Sequence, residues 1–299
     1  MGASATVVPP GGGAPTPDPE RVATIRYTIV DEPQTCAAFA EAAHDTLAAL
    51  VARTHAEIRA GDLGACSGLL SRTRDQIVAL DPSRLEPRRG LAGLFDSRAK
   101  RLKASRAAYA SAASTADQAA VGLADQGAAF SKNHDTLEDL WTRTRDAIID
   151  IDCYIAAARI WLAGRETTEP AEPAVPEAPE PTANPRHPLD ARLDALSDLR
   201  AQAIRQLAII RAVQNTDHVA PATLTSAGQA VETWRDDWRQ SLGISGKKPK
   251  KVRPDVSALQ ASQSSLADHL AAAGRDVQSI QDRRVELQAR STAQGRPTD

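Results

Sequence analysis

The chain has 299 residues, with 36 basic against 38 acidic side chains, aromatics at 3 % and three cysteines. So even a charge balance speaks against a nucleic-acid binder, and so few aromatics speak against the aromatic-lined pocket of a compact enzyme domain. Cys36, Cys66 and Cys153 lie far apart, no leader pattern precedes them, and no apolar run is long enough to span a bilayer, so a reducing cytoplasm is the expected location.

Residues 1–20 contain Pro9-Pro10-Gly11-Gly12-Gly13 and then Pro15, Pro17 and Pro19, the composition of a disordered tail. Val22, Ile25, Tyr27, Ile29 and Val30 predict a short strand, though an isolated strand is marginal. Asp31, Glu32 and Pro33 are residues that open helices, and the helix they predict runs through Phe39, Leu47, Leu50 and Ile58 to Gly61. A second helix is predicted from Leu63, Cys66, Leu70, Thr73, Ile77 and Leu80, spaced three and four apart. Asp81-Pro82 and the turn Pro87-Arg88-Arg89-Gly90 end it.

The strongest periodic signal follows. Leu102, Arg106, Tyr109, Ala113, Ala116, Ala120, Leu123, Gly127 and Phe130 alternate three and four apart. His134, Leu137, Trp141, Thr144, Ile148, Ile151, Ile155, Ala158 and Leu162 continue the same register. A sustained 3.5-residue period is that of helices wound about each other, and the alanines of the first half predict close helix–helix approach. Residues 99–162 form either one helix or a hairpin broken near Gly122 and Gly127.

Residues 166–188, with Pro170, Pro173, Pro176 and Pro179 between glutamates, predict an extended polyproline II linker. It divides an N-terminal long-helix region (21–165) from a C-terminal helical region (189–290), with a disordered tail over 291–299. The C-terminal region predicts a helix from Pro188 through Ile210, a short helix carrying Val231, Trp234 and Trp238, and a basic loop. A last heptad-spaced helix then runs from Val256 to Leu287. The expected fold is all-α: an elongated bundle of long antiparallel coiled-coil-like helices, with a disordered N-terminus and a Pro/Glu-rich linker.

No residue pattern names a catalytic, cofactor or metal centre. The histidines 44, 55, 134, 187, 218 and 269 form no helical pair with a second histidine or a cysteine. His134 is expected partly buried on the seam, and His218 at a cap or on the surface. Asp146 and Asp150 are expected on a solvated face with Arg143 and Arg145, with Asp152 close by in sequence. Trp234 and Trp238, four apart, are candidates for anchoring a partner helix or a membrane interface, although such a pair ordinarily packs onto a neighbouring helix. Lys247, Lys248, Lys250 and Lys251 are candidates for weak contact with anionic lipid, or else a solvated hinge. Cys36, near a helix start, is a candidate redox or anion-sequestering thiol, whereas Cys66 reads as a small buried hydrophobe. Partners are expected to be other proteins or further copies of the chain, held through helical seams, and no nucleic acid is expected.

Two stretches carry a family resemblance. One is Leu80-Asp81-Pro82-Ser83-Arg84-Leu85 followed by Arg88-Arg89-Gly90-Leu91-Ala92-Gly93-Leu94-Phe95, with Tyr109, Asp125, Asn133-His134-Asp135-Thr136-Leu137 and Trp141 beyond. The other is Asp255-Val256-Ser257-Ala258-Leu259 with the final helix. Together they resemble the toxic-anion (tellurite) resistance proteins of the TelA/KlaA type, most clearly over residues 77–162 and more weakly over 250–288. The resemblance implies a bacterial, cytoplasmic, long-helical stress-resistance protein that is not an enzyme and has no cofactor. Residues 189–240 keep only the family's amphipathic outline, and 166–188 looks like an insertion.

Overall fold

The computed structural model describes residues 17–59, 63–86, 98–166 and 186–293. Among them the chain is all α: α1 (Pro19–Tyr27), α2 (Pro33–Ala37), α3 (Glu41–Arg59), α4 (Gly64–Val78), a 3-10 turn (Pro82–Leu85), α5 (Arg98–Glu166), α6 (Pro188–Asp217), α7 (Ala220–Ser241) and α8 (Val256–Ala293). Two compact units emerge. One is built from described residues 17–54, 139–166 and 186–209, the other from 55–59, 63–86, 98–138 and 210–293. Each unit thus draws on sequence from both sides of the proline-rich stretch, of which 167–185 lie outside the described residues.

The first unit stacks α5 on α6. Asp152 of α5 pairs with Arg200 of α6, and Trp161 meets His187, so the two helices run antiparallel. Their apolar stripes enclose Ile148, Ile151, Ile155, Ala158, Leu189, Leu193, Leu196 and Ala203, with Leu47 and Val51 of α3 and Cys36 of α2. The predicted strand at 22–30 is helix α1 instead. Asp18 caps it by accepting from the Glu20 N–H at 3.1 Å, and Val22 and Ile25, three apart, bury one face against Cys153 and Ala157. Residues 18–20, expected in the disordered tail, are instead the cap and first turn of α1; residues 1–16 lie outside the described residues. The predicted helix from Asp31 to Gly61 is also divided. The chain turns at Ala40, whose φ of 57° is left-handed, and this separates α2 from α3.

The second unit is a helical bundle whose directions can be read from its cross-links. Leu63 N–H donates to Gln281 Oε1 at 3.0 Å, and Gln263 Nε2 donates to the carbonyls of Ile77 and Leu80 at 2.7 Å, so α4 and α8 are antiparallel. Ser226–His269 and Ser262–Asp237 contacts set α7 antiparallel to α8. Arg106 bonds Leu242 and Asp117 pairs with Arg235, which sets α5 antiparallel to α7. Leu63, Cys66, Leu70, Thr73 and Ile77 are all buried, as their spacing predicts. The second helix of the C-terminal region is longer than expected, opening at Ala220 with Pro221 in its first turn.

Helix α5 passes through Gly122 and Gly127 without a break. Gly122 serves close approach: a Cβ there would meet Leu69 Cδ2 at 2.9 Å. Ala112, Ala113, Ala116 and Ala119 are buried, in keeping with tight packing. The predicted seam holds from Leu102 to Ala158 except at His134, which is exposed; the positions flanking it, Phe130 and Leu137, are buried. At the far end, α8 extends to Ala293, beyond the expected fraying point. Buried Ser291 sits 2.6 Å from His55 Nδ1. Residues 294–299 lie outside the described residues.

Two charged links add specificity to the second unit. Arg284 and Asp217 form a bidentate pair with side chains 3 % and 6 % exposed, the Nε–Oδ1 arm measuring 2.7 Å, and Arg284 also reaches Asn133 Oδ1 at 3.1 Å. Arg211 and Gln214 hold Glu138, and these bonds keep its carboxyl below the usual range.

Leu137 is fully buried. Leu137→Asp places an unpaired carboxylate there and is expected to cost about 4 kcal/mol, read as a lowered thermal midpoint. Burial, reinforced by nearby Arg59, holds the His55 pKa below its ordinary value. The folded state therefore binds fewer protons at His55 than the unfolded chain does, and stability should fall as pH drops through 6.5 towards that lowered value. Denaturant midpoints at about pH 7.5 and about pH 5.5 should differ less in His55→Gln than in the parent.

Candidate functional site

The sequence candidates go to very different places. Trp234 and Trp238, considered as anchors for a partner or membrane, are each 2 % exposed. Tyr109 of α5 packs on both, with ring centroids 5.6 and 6.0 Å away, and the two indoles are 5.5 Å apart. The Tyr109 hydroxyl donates to the Arg235 carbonyl at 2.8 Å, and burial pushes its pKa up to about 12. This is a core layer, so the anchoring role is corrected to packing. The physical reason is that α7 turns the same face that carries Leu224, Ala227 and Val231 onto α5 and α8.

Lys247, Lys248, Lys250 and Lys251 are exposed, as expected of a basic loop. The loop's backbone is fastened, however. Lys250 N–H donates to the Gly243 carbonyl at 2.8 Å, and Arg106 Nη2 donates to the Lys250 carbonyl at 2.6 Å. Gly243 adopts φ +67°, and a Cβ there would lie 2.7 Å from Val252 Cγ1. A hinge is the wrong description of so constrained a turn.

All three cysteines are buried and remain thiols. Cys66 lies on its helix seam, and Cys153 packs with Val22 and Ile25. Cys36 has polar company. Its thiol donates to the Val30 carbonyl at 3.5 Å, and ligand-type atoms of Asp31, Cys36 and His187 all lie within 4.8 Å of one another. Three separate segments bring them together: the α1–α2 connection, α2 itself and the start of α6. His187 was missed as a partner because it stands far from Cys36 in sequence. The one local signal was its position just before Pro188, where helix caps fall.

The chemistry of this cluster is set by hydrogen bonds. His187 Nδ1 accepts the Leu189 N–H at 3.1 Å, so the ring proton sits on Nε2, which donates to Asp31 Oδ1 at 3.0 Å. Arg165, from the last turn of α5, pairs with Asp31 Oδ2 and covers the Trp161 ring, its guanidinium carbon 5.1 Å from the centroid. A cation bound through Nε2 would require the ring proton on Nδ1, directly opposing the Leu189 N–H, and would share Asp31 with Arg165. His187 also has no free lone pair to take the Cys36 proton. In this geometry the group caps α6 and ties the ends of α5 and α6 to the α1–α2 connection, with Cys36 sealed beneath. Helix α2 spans only five residues and so supplies little of the dipole that would favour a thiolate.

The aspartates near Cys153 separate. Asp146 pairs locally with Arg145 at 2.8 Å, and Arg143 reaches Asp139 at 3.5 Å. Asp150 instead reaches Arg21 of α1, and Asp152, 13 % exposed, pairs with Arg200. These are cross-helix links rather than the local ion pairs expected. His218 Nδ1 lies 2.6 Å from the Asn215 carbonyl at the end of α6, a surface capping contact as expected.

A concavity of the second unit, about 240 Å³, is lined by Leu80, Asp81, Pro82, Arg84, Arg101 and Trp238 among others. It falls short of ordinary small-molecule sites, which run from about 300 Å³. Asp81 there accepts from Ser83 and Arg84, which lowers its pKa.

Native protein should react slowly with a thiol reagent at all three cysteines. Asp31→Ala or His187→Ala should open the cover over Cys36 and accelerate its labelling selectively, leaving Cys66 and Cys153 slow. Mass-spectrometric mapping of the labelled peptides checks this; equal acceleration at Cys66 would mean general unfolding instead.

A family model described as toxic anion resistance protein (TelA) matches residues 27–249. No curated protein and no solved structure matches the chain. The matched span takes in the 80–95 and 133–141 stretches, the proline-rich segment and α6, and stops short of Asp255-Val256-Ser257-Ala258-Leu259, so the resemblance drawn from the last helix lies outside it. With the match covering well over half of the 299 residues, the chain belongs to the toxic anion resistance (TelA) family.

Proposed function

We propose that this protein is a cytoplasmic toxic-anion resistance factor, with tellurite as the anion to test first, and that it works by helix-mediated association rather than by catalysis. The family match over residues 27–249 carries the reading. Val121, Val285, Ile160 and Ile204 are exposed on the long helices and are the aliphatic side chains available to meet a further helix. The tautomer at His187 supports the non-catalytic part, because the best-assembled polar cluster already spends its donors and acceptors on holding helix ends together.

The convergence of Asp31, Cys36 and His187 favours one second reading, in which the Cys36 thiol sequesters the anion after local opening. Survival on graded tellurite separates the two. A host lacking the gene is complemented with the parent protein, an empty vector or Cys36→Ser. Equal rescue by parent and Cys36→Ser is the expected result. Rescue by the parent alone would move the function to the thiol, and no rescue by either would remove tellurite resistance as the function.

A further inference from the structure

The second unit carries a concentration of positive charge that the even overall balance conceals. Residues 98–116, the start of α5, contain five cations (Arg98, Lys100, Arg101, Lys103, Arg106) and no carboxylate. Residues 242–254 contain five more (the four lysines and Arg253), again with none. Taking these ten from the 36 basic residues leaves 26 against 38 acidic ones over the rest of the chain.

Hydrogen bonds lay the second segment along the first. Arg106 Nε and Nη2 donate to the Leu242 carbonyl at 2.9 and 2.7 Å, and Nη2 also to the Lys250 carbonyl at 2.6 Å. Arg98 Nη2 donates to the Val252 carbonyl at 2.9 Å. Arg98 and Arg106 stand about 12 Å apart along the helix, so the loop follows its first turns. The left-handed turn at Gly243 and the Lys250–Gly243 bond fix that course. Of the flanking acids among the described residues, Asp117 pairs with Arg235, and Asp255 accepts from Ser257 and from the Ala258 N–H at the start of α8.

We propose that the first turns of α5 and the 243–253 loop form one basic face that docks on an anionic lipid surface. This proposal is independent of the resistance reading. Two observations select lipid over nucleic acid. Arg98 and Arg106 commit guanidinium N–H groups to backbone carbonyls, so the outward charge is mainly lysine, which suits a diffuse field of headgroups better than forked recognition of base edges. The nearby aromatics Tyr109, Trp234 and Trp238 are buried in the core and offer no platform for stacked bases. For the same reason, attachment rests on charge and not on inserted indoles.

The test is co-sedimentation of the full chain with vesicles of phosphatidylcholine alone or with about 30 % phosphatidylserine. Binding is expected only to the anionic vesicles, and should weaken as salt rises from about 0.05 to about 0.3 M. Each exposed lysine near the surface contributes about fivefold in partitioning. Changing Lys247, Lys248, Lys250 and Lys251 together to Gln should therefore lower binding by at least about a hundredfold. Lys100→Gln/Lys103→Gln should lower it by about fivefold or more, with circular dichroism unchanged. Neutralising the exposed Arg275, Arg283 and Arg290 of α8 should leave binding as it was. The proposal is overturned by equal binding to neutral vesicles, by no binding at all, or by an equal loss in the α8 variant. An effect of the loop lysines without any from Lys100 and Lys103 would overturn the composite face, and tighter binding to duplex DNA at the same salt would assign it to nucleic acid.

Discussion

The apolar stripe of α5 is what both cores require. Leu102, Tyr109, Ala113, Ala116, Leu123 and Phe130 face α4, α7 and α8 in one unit, while Ile148, Ile151, Ile155 and Ala158 face α3 and α6 in the other. An isolated helix gains little from its own propensity, so a helix of 69 residues is held by what it buries. The composition of the stripe varies with the neighbour. Buried alanines and Gly122, where a Cβ would meet Leu69 Cδ2 at 2.9 Å, make up much of its first half, and buried isoleucines much of its second. Each isoleucine or leucine buried there contributes about 1.5–3 kcal/mol relative to exposure.

Hydrophobic stripes fix proximity more firmly than register, and in the second unit polar links settle the register. The Arg284–Asp217 pair, with Phe130 under the guanidinium at 5.5 Å, contributes little net stability over an apolar pair of similar volume. Sliding α8 by one turn would leave a buried guanidinium opposite carbon, which is far more costly than anything the stripe would gain. Gln263 acts in the same way at the C-terminal end of α4, taking up carbonyls that the helix terminus leaves without intrahelical donors. In the first unit, His187 does this for the N–H groups of α6.

The all-helical class, the extent of α4 and most of the α5 seam were legible because a 3.5-residue period is a local property of the sequence. What was not legible depends on distant partners or on backbone geometry without a residue signature. Val22 and Ile25 are β-branched and read as a strand, yet three-residue spacing lets them cover Cys153 and Ala157 from a helix. The division between α2 and α3 turns on Ala40, a residue that gives no warning of a positive φ. His134 keeps the heptad position but faces water. The Asp31–Cys36–His187 cluster joins residues more than 150 positions apart, and no spacing rule reaches that far. The Trp234/Trp238 pair was legible in position, but its burial depended on Tyr109 arriving from α5.

The two units are interleaved along the chain, each interrupted by a segment of the other. A ribosome therefore releases half of one core, then half of the other, before either can close. The first unit lacks its α6 wall until residue 209 has been made, and the second waits for α8, the last helix described. Long amphipathic helices remain unmatched through much of synthesis, the situation in which exposed stripes find the wrong partner. Cutting the gene at the proline-rich segment would not yield two foldable halves, because both fragments would carry one side of each core.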